Sequence, residues 1–177
     1  MRLSTTRRFR RLAVPVVAAC SLTGAAAATP AHAASPCSAP VSSATTTLCL
    51  INGERRAHGV KPLRHDAKLY RAAIRHSRDM VAKRYFAHES RSGARFSARI
   101  ARTGWMIGRG RWAVGENLGW GSGTQATPRS IVAAWMNSAG HRKNLLNPRY
   151  RVIGIGIAGG APVGSNGGAT YTTDFGS

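Results

Sequence analysis

The sequence predicts an α+β fold in which helices dominate the first part of the chain and strands the last. Two observations carry that reading. Apolar residues recur at three- and four-residue spacings from Leu48 to Met80 and again from Ile131 to Trp135, the period of a helix with one buried face. From Val152 the pattern becomes alternation, with Ile153, Ile155 and Ile157 set against Gly154 and Gly156, the period of a strand.

Taken in order, Ser42 or Ser43 can cap a first helix running to about Ala57, with Leu48, Ile51 and Arg55 on its inner stripe and Gly59 as its stop. Asp66 is a good cap for a second helix, whose Leu69, Ala72, Ala73, His76 and Met80 face inward before Tyr85 and Phe86. A short helix from Phe96 to about Arg102 ends at Gly104. Thr127-Pro128 opens another with Ile131, Val132 and Trp135 inside; Gly140 ends it, and a brief helical turn over 142–146 runs into Asn147-Pro148. Strands are expected at 114–120, 152–158 and 170–175, with a surface loop over 159–168.

Arg2, Arg7, Arg8, Arg10 and Arg11 precede an apolar stretch from Leu12 to Ala28 and a small-x-small site at Ala31-His32-Ala33, the pattern of a secretory leader cleaved after Ala33. Pro15, Ser21, Thr23 and Gly24 interrupt the stretch, and no later segment offers the roughly 20 apolar residues a membrane span needs. Val17-Ala18-Ala19-Cys20 supplies an alternative, lipid anchoring through Cys20. The expected organisation is therefore a leader over 1–33, a short tail over 34–43 and one domain over 44–177, secreted and monomeric. Cys37 and Cys49 form an even pair in an oxidising compartment, which argues for a disulfide worth about 3 kcal/mol for a loop of this length; two separate thiols are the alternative.

The leader holds five of the chain's 26 basic residues and none of its 6 acidic ones, so the remainder carries a net charge of +15. Such a chain attracts polyanions, among them acidic wall polymers and anionic lipid headgroups. The basic residues are scattered and no aromatic-interleaved stripe accompanies them, so nucleic acid enters only as a nonspecific polyanion.

Two motifs fail on context. Gly154-Ile155-Gly156-Ile157-Ala158-Gly159 matches a dinucleotide fingerprint in letters, but its glycines lie inside a strand with no helix to follow. His88-Glu89 begins like a zinc-protease helix, yet position 92 is Ser92, and no G-x-S-x-G elbow occurs.

His88, Glu116 and His141 are residue types that share protons near neutral pH or hold a divalent metal once brought together. They sit in an ordered series of signatures: Asn52-Gly53-Glu54-Arg55-Arg56, Phe86-Ala87-His88, Gly115-Glu116-Asn117-Leu118, Trp135-Met136-Asn137-Ser138, Gly140-His141-Arg142, Asn147-Pro148, Ile153-Gly154-Ile155-Gly156 and Tyr171-Thr172-Thr173-Asp174-Phe175-Gly176. That series, from about Leu48 to Gly176, resembles the CAP superfamily, which unites cysteine-rich secretory proteins, antigen 5 and pathogenesis-related 1 proteins (the SCP domain), and most resembles its short bacterial members.

The resemblance implies a three-layer α-β-α sandwich with a central antiparallel sheet and a cleft lined by two histidines and two acids. His88, Glu116 and His141 match three of the four; Ser138 stands where the second acid is expected. His88 and His141 are then candidate ligands of Zn2+ or another divalent cation, with Glu116 acting through water, and the same three residues are the candidate catalytic groups. His58, His65 and His76 fall outside the signatures and are expected on the surface or in the core, and Asn117 and Trp135 are expected to be structural. The leading function is a secreted module binding an extracellular or cell-envelope ligand, a lipid, a sterol-like molecule or an acidic polymer. A metal-dependent hydrolase or protease using the same cleft is the first alternative, a basic wall-associated scaffold with a vestigial cleft the second.

Overall fold

A computed structural model describes Cys37 and residues 43–164 and 167–177. The expected leader, its expected cleavage site and Cys20 lie outside the described residues. The elements, in order, are α1 (Ser43–Ala57), β1 (Arg64–His65), α2 (Ala67–Ala82), α3 (Phe96–Ala101), β2 (Val114–Gly121), a single 3-10 turn (Gly123–Ala126), α4 (Pro128–Met136), α5 (Ala139–Leu145), β3 (Val152–Gly159) and β4 (Ala169–Gly176). The strands form one sheet in the order β1-β3-β4-β2. β2, β4 and β3 pair antiparallel, and the two-residue β1 adds to β3 in parallel. The expected mixed fold with an antiparallel centre is present, with β1 as an addition that the sequence pattern did not announce. Two exposed residues carry no periodicity.

Helix starts and stops follow the local chemistry. Asp66 Oδ1 accepts from the backbone N–H groups of Lys68 and Leu69 at 2.8 and 3.0 Å, and its Oδ2 accepts from the Trp105 indole at 3.1 Å, so one side chain caps α2 and ties it to the turn after α3. Thr127 caps α4 through the Ser130 N–H, with Pro128 in the first turn. Gly59 and Gly104, with φ of +69° and +74°, adopt the left-handed backbone expected of stops. Gly140 does not. The break falls at Ser138, whose backbone is extended, and Gly140 lies within the first turn of α5, so His141 is a helical residue rather than part of a terminating turn. Ser43 is itself the first residue of α1, and its carbonyl accepts from the Thr47 hydroxyl at 2.6 Å rather than serving as a cap.

The alternation in β3 has a physical purpose on each face. Ile153 and Ile155 enter the main core with Ile51, Trp135, Leu145, Tyr150 and Phe175, beneath α1, α4 and α5. Gly154 and Gly156 face the opposite way, where a Cβ at either position would collide with the α2 backbone at Leu69, Tyr70, Ala73 and Ile74. Helix and sheet therefore meet backbone to backbone on that side. Cys37 and Cys49 are joined by a disulfide with a Cα–Cα separation of 5.6 Å, as the even pair suggested. Among the described residues, no helix is long and apolar enough to cross a membrane.

Candidate functional site

β2 is an outer strand of the sheet, so its side chains alternate between two covered faces beside an open edge. Glu116 points toward α2 and α3. Asn117, the next residue, points toward α5. The two halves of the predicted constellation are built on these neighbours, one on each face of β2.

On the first face, Glu116 is 4% exposed and both its carboxylate oxygens are engaged. Oε1 lies 2.8 Å from His88 Nδ1, and Oε2 pairs with the Arg99 guanidinium. Arg99 also donates from Nη1 to the carbonyls of His88 at 2.7 Å and Ala94 at 3.0 Å. His76 Nε2 lies 2.9 Å from the Ala87 carbonyl. The loop carrying His88 is thus held by a histidine of α2 and an arginine of α3, while the His88 side chain stays 54% exposed. Its Nδ1 is committed to Glu116, which leaves Nε2 for a ligand.

On the second face, His141 Nδ1 lies 2.9 Å from Ser138 Oγ, one helical turn back. Asn117 donates to the His141 carbonyl at 3.0 Å, and Asn144 donates to Asn117 Oδ1 at 2.9 Å and to the Glu116 carbonyl at 3.1 Å. Two asparagines therefore bolt α5 to β2. Burial, and to a lesser extent the charge of His88, holds the His141 pKa below the ordinary histidine value.

The four sequence-predicted residues form two contacting pairs, His88 with Glu116 on the α2 side of β2 and His141 with Ser138 on the α5 side. His58 is exposed, with its Nδ1 2.8 Å from the Glu54 carbonyl, and His65 is exposed on β1. His76 is a core residue, as expected, but one that positions the site loop. Burial, then the charge of Arg99, pushes its pKa down.

Two contributors were not anticipated. Arg99 is 8% exposed, although a short helix rich in arginine gave no sign that one would be buried. Asp174 of β4 stands directly opposite Glu116 in the strand register and is 1% exposed. Neither of its oxygens has a hydrogen-bond partner, so as a carboxylate it would be buried and unpartnered beside the carboxylate of Glu116. Burial, then the charge of Glu116, drives its pKa well above the usual carboxylate range. This second buried carboxyl lies on the Glu116 face of the sheet, and position 138 beside His141 keeps its serine.

A divalent ion would have to be held by the two imidazoles, since Glu116 is buried and saturated. Among the described residues, no three His, Cys, Asp or Glu side chains are grouped to hold a metal. The four protein ligands of a closed zinc site, or the three of a catalytic one, do not fit this donor set, and no chemistry is routed through a metal below.

The fold is an α-β-α sandwich domain, with the two histidine pairs built on β2 as its candidate site. The model of the CAP cysteine-rich secretory protein family matches residues 48–173, and the chain belongs to that family. It is 43% identical over 108 residues to the uncharacterized protein YkwD of Bacillus subtilis (strain 168), an overlap of 60% of this chain and 39% of YkwD. The fold is similar to that of an extracellular SCP-domain protein from Bacillus anthracis (TM-score 0.61, 29% identity, covering 75% of this chain and 39% of that one). It is also similar to that of an outer surface protein from Borrelia burgdorferi (TM-score 0.59, 21% identity, covering 73% and 87%). The match to YkwD spans about two fifths of that relative's length.

Proposed function

We propose that this chain is an extracellular binding module that engages an extracellular or cell-envelope ligand, a lipid, a sterol-like molecule or an acidic polymer, at the paired histidines built on β2. One observation carries the reading: each imidazole has its Nδ1 engaged, by Glu116 or by Ser138, so both rings are oriented with Nε2 left to meet a ligand. Glu116, the one carboxylate of the predicted set, is saturated by His88 and Arg99, which favours a recognition role over that of a general base. The basic composition and the similarity to an extracellular protein of Bacillus anthracis support an envelope setting.

The test is binding of the purified chain to vesicles of envelope lipid and to purified wall polymer, beside His88→Ala and His141→Ala variants. Each variant is expected to weaken binding about tenfold, the loss of one oriented hydrogen bond to a charged partner. Binding that survives both substitutions and vanishes with moderate salt would assign the interaction to surface charge instead.

A hydrolytic second reading is favoured by one contact, the Ser138 hydroxyl beside an imidazole that burial keeps neutral. It requires turnover of an ester or amide that Ser138→Ala abolishes.

A further inference from the structure

On the α2 face, a pocket of about 250 Å³ opens between α2 and the segment from Ser90 to Thr103. Its wall carries four cations, Arg75, Lys83, Arg99 and Arg102, against the single carboxylate of Asp79. That carboxylate is already satisfied: Lys83 Nζ lies 2.6 Å from Oδ1, and the Tyr85 hydroxyl donates to Oδ2 at 2.5 Å. The guanidinium groups of Arg75 and Arg102 make no hydrogen bond or ion pair among the described residues. Two buried polar atoms of residues lining the same pocket are also left over, Arg99 Nε and His76 Nδ1, on residues 8% and 1% exposed.

We propose that this pocket is an anion site that takes a phosphate group, with Arg75 and Arg102 as its principal ligands. A concave wall with an excess of cations attracts an anion by simple electrostatics, and low-dielectric surroundings strengthen the attraction relative to the open surface. The geometry selects among anions. A carboxylate presents two oxygens and satisfies one guanidinium in a fork, whereas a tetrahedral phosphate presents enough oxygens to bridge two. Ser92 adds a hydroxyl to the same wall. The site goes beyond the paired-histidine reading and needs neither His88 nor His141. It adjoins that site through Arg99, whose guanidinium also holds Glu116 and the His88 carbonyl.

The experiment is isothermal titration of the purified chain with inorganic phosphate, glycerol 3-phosphate and acetate at matched ionic strength. The variants are Arg75→Ser/Arg102→Ser and a control that removes two charges elsewhere, Arg111→Ser/Arg149→Ser. Saturable one-site binding of phosphate or its ester is expected, about tenfold tighter than acetate, with a loss of about tenfold in the pocket variant and less than about twofold in the control. A stronger response to the ester identifies a polymer- or lipid-borne group, a stronger response to the free ion a soluble one, and either supports the site. All four substituted arginines are exposed, so melting temperatures should stay near that of the parent and confirm folding. His88→Ala and His141→Ala should leave phosphate affinity unchanged, which separates failure here from failure of the proposed function. No saturable binding, equal affinity for acetate, or an equal loss in the control would overturn the assignment.

Discussion

Beneath α1, α4 and α5, the buried charge of Arg55 is met by four backbone carbonyls, those of Lys61, Leu145, Asn147 and Tyr150, at 2.6 to 3.3 Å. Across the sheet, beneath α2 and α3, Arg99, Glu116, Asp174 and His76 crowd together. Among the described residues, every buried side-chain nitrogen or oxygen left without a hydrogen bond belongs to this second group. A folded chain satisfies its buried polar atoms wherever stability alone decides. Arg55 shows that this chain can do so around a fully buried cation, so the unfinished network on the other face points to use rather than poor construction.

The comparison breaks most visibly at the two arginines. Arg99→Met leaves Glu116 buried with only His88 as its cationic partner and with Asp174 opposite, and is expected to cost about 3 to 5 kcal/mol in urea unfolding, with a large part restored by adding Glu116→Gln. Arg55→Met strips a charged donor from four carbonyls and should cost about 3 kcal/mol, with no single second substitution to restore it. Equal rescue at both positions would erase the distinction between the faces.

Asp174→Asn sharpens it further. A group whose folded pKa is raised contributes stability that is present below its ordinary value, near pH 4, and is lost as pH rises toward the folded value. Because burial raises Asp174, the Asn variant, which keeps the shape and the donor, should match the parent near pH 4 and gain on it as pH rises, by at most about 1.4 kcal/mol per pH unit. Melting temperatures from pH 4 to 8 would show the divergence; parallel curves would mean that Asp174 is charged and compensated.

The smallest effect is at His76. Its lowered pKa means that the unfolded chain binds the proton more readily, so this contribution is intact above the ordinary histidine value near 6.5 and is lost as pH falls below it. His76→Gln, which keeps a donor for the Ala87 carbonyl, should lose less stability than the parent between pH 7.5 and 5.5, by about 1 kcal/mol or less. An unchanged pH profile would remove His76 from the network.

Much of this architecture was legible in the residues. The helix stripes, the caps at Asp66 and Thr127 and the alternation in β3 are local signals, and local physics wrote them. Family signatures singled out His88, Glu116, Ser138 and His141 together, which periodicity could not do. What stayed hidden depends on pairs distant in sequence. Asp174 alternates with Phe175, so a strand read alone sends the aspartate to water; helices cover both faces of this sheet, and the aspartate is buried opposite Glu116. Arg99 looks like any arginine on a short helix until the carboxylate it faces is known. Ser138 read as a missing acid, and became the partner of His141 only once the backbone placed it one turn before that residue.

Two hydrogens on β3 set a dimension of the site. Because Gly154 and Gly156 let α2 rest directly on the strand, the helix has no cushion of side chains on which to slide or tilt. A methyl group at either position would lift α2 off the sheet, and His76 would carry the Ala87 carbonyl with it. The seat of the Ala87–His88 segment is therefore gauged from β3 through α2, and an alanine at either glycine is expected to shift it at long range.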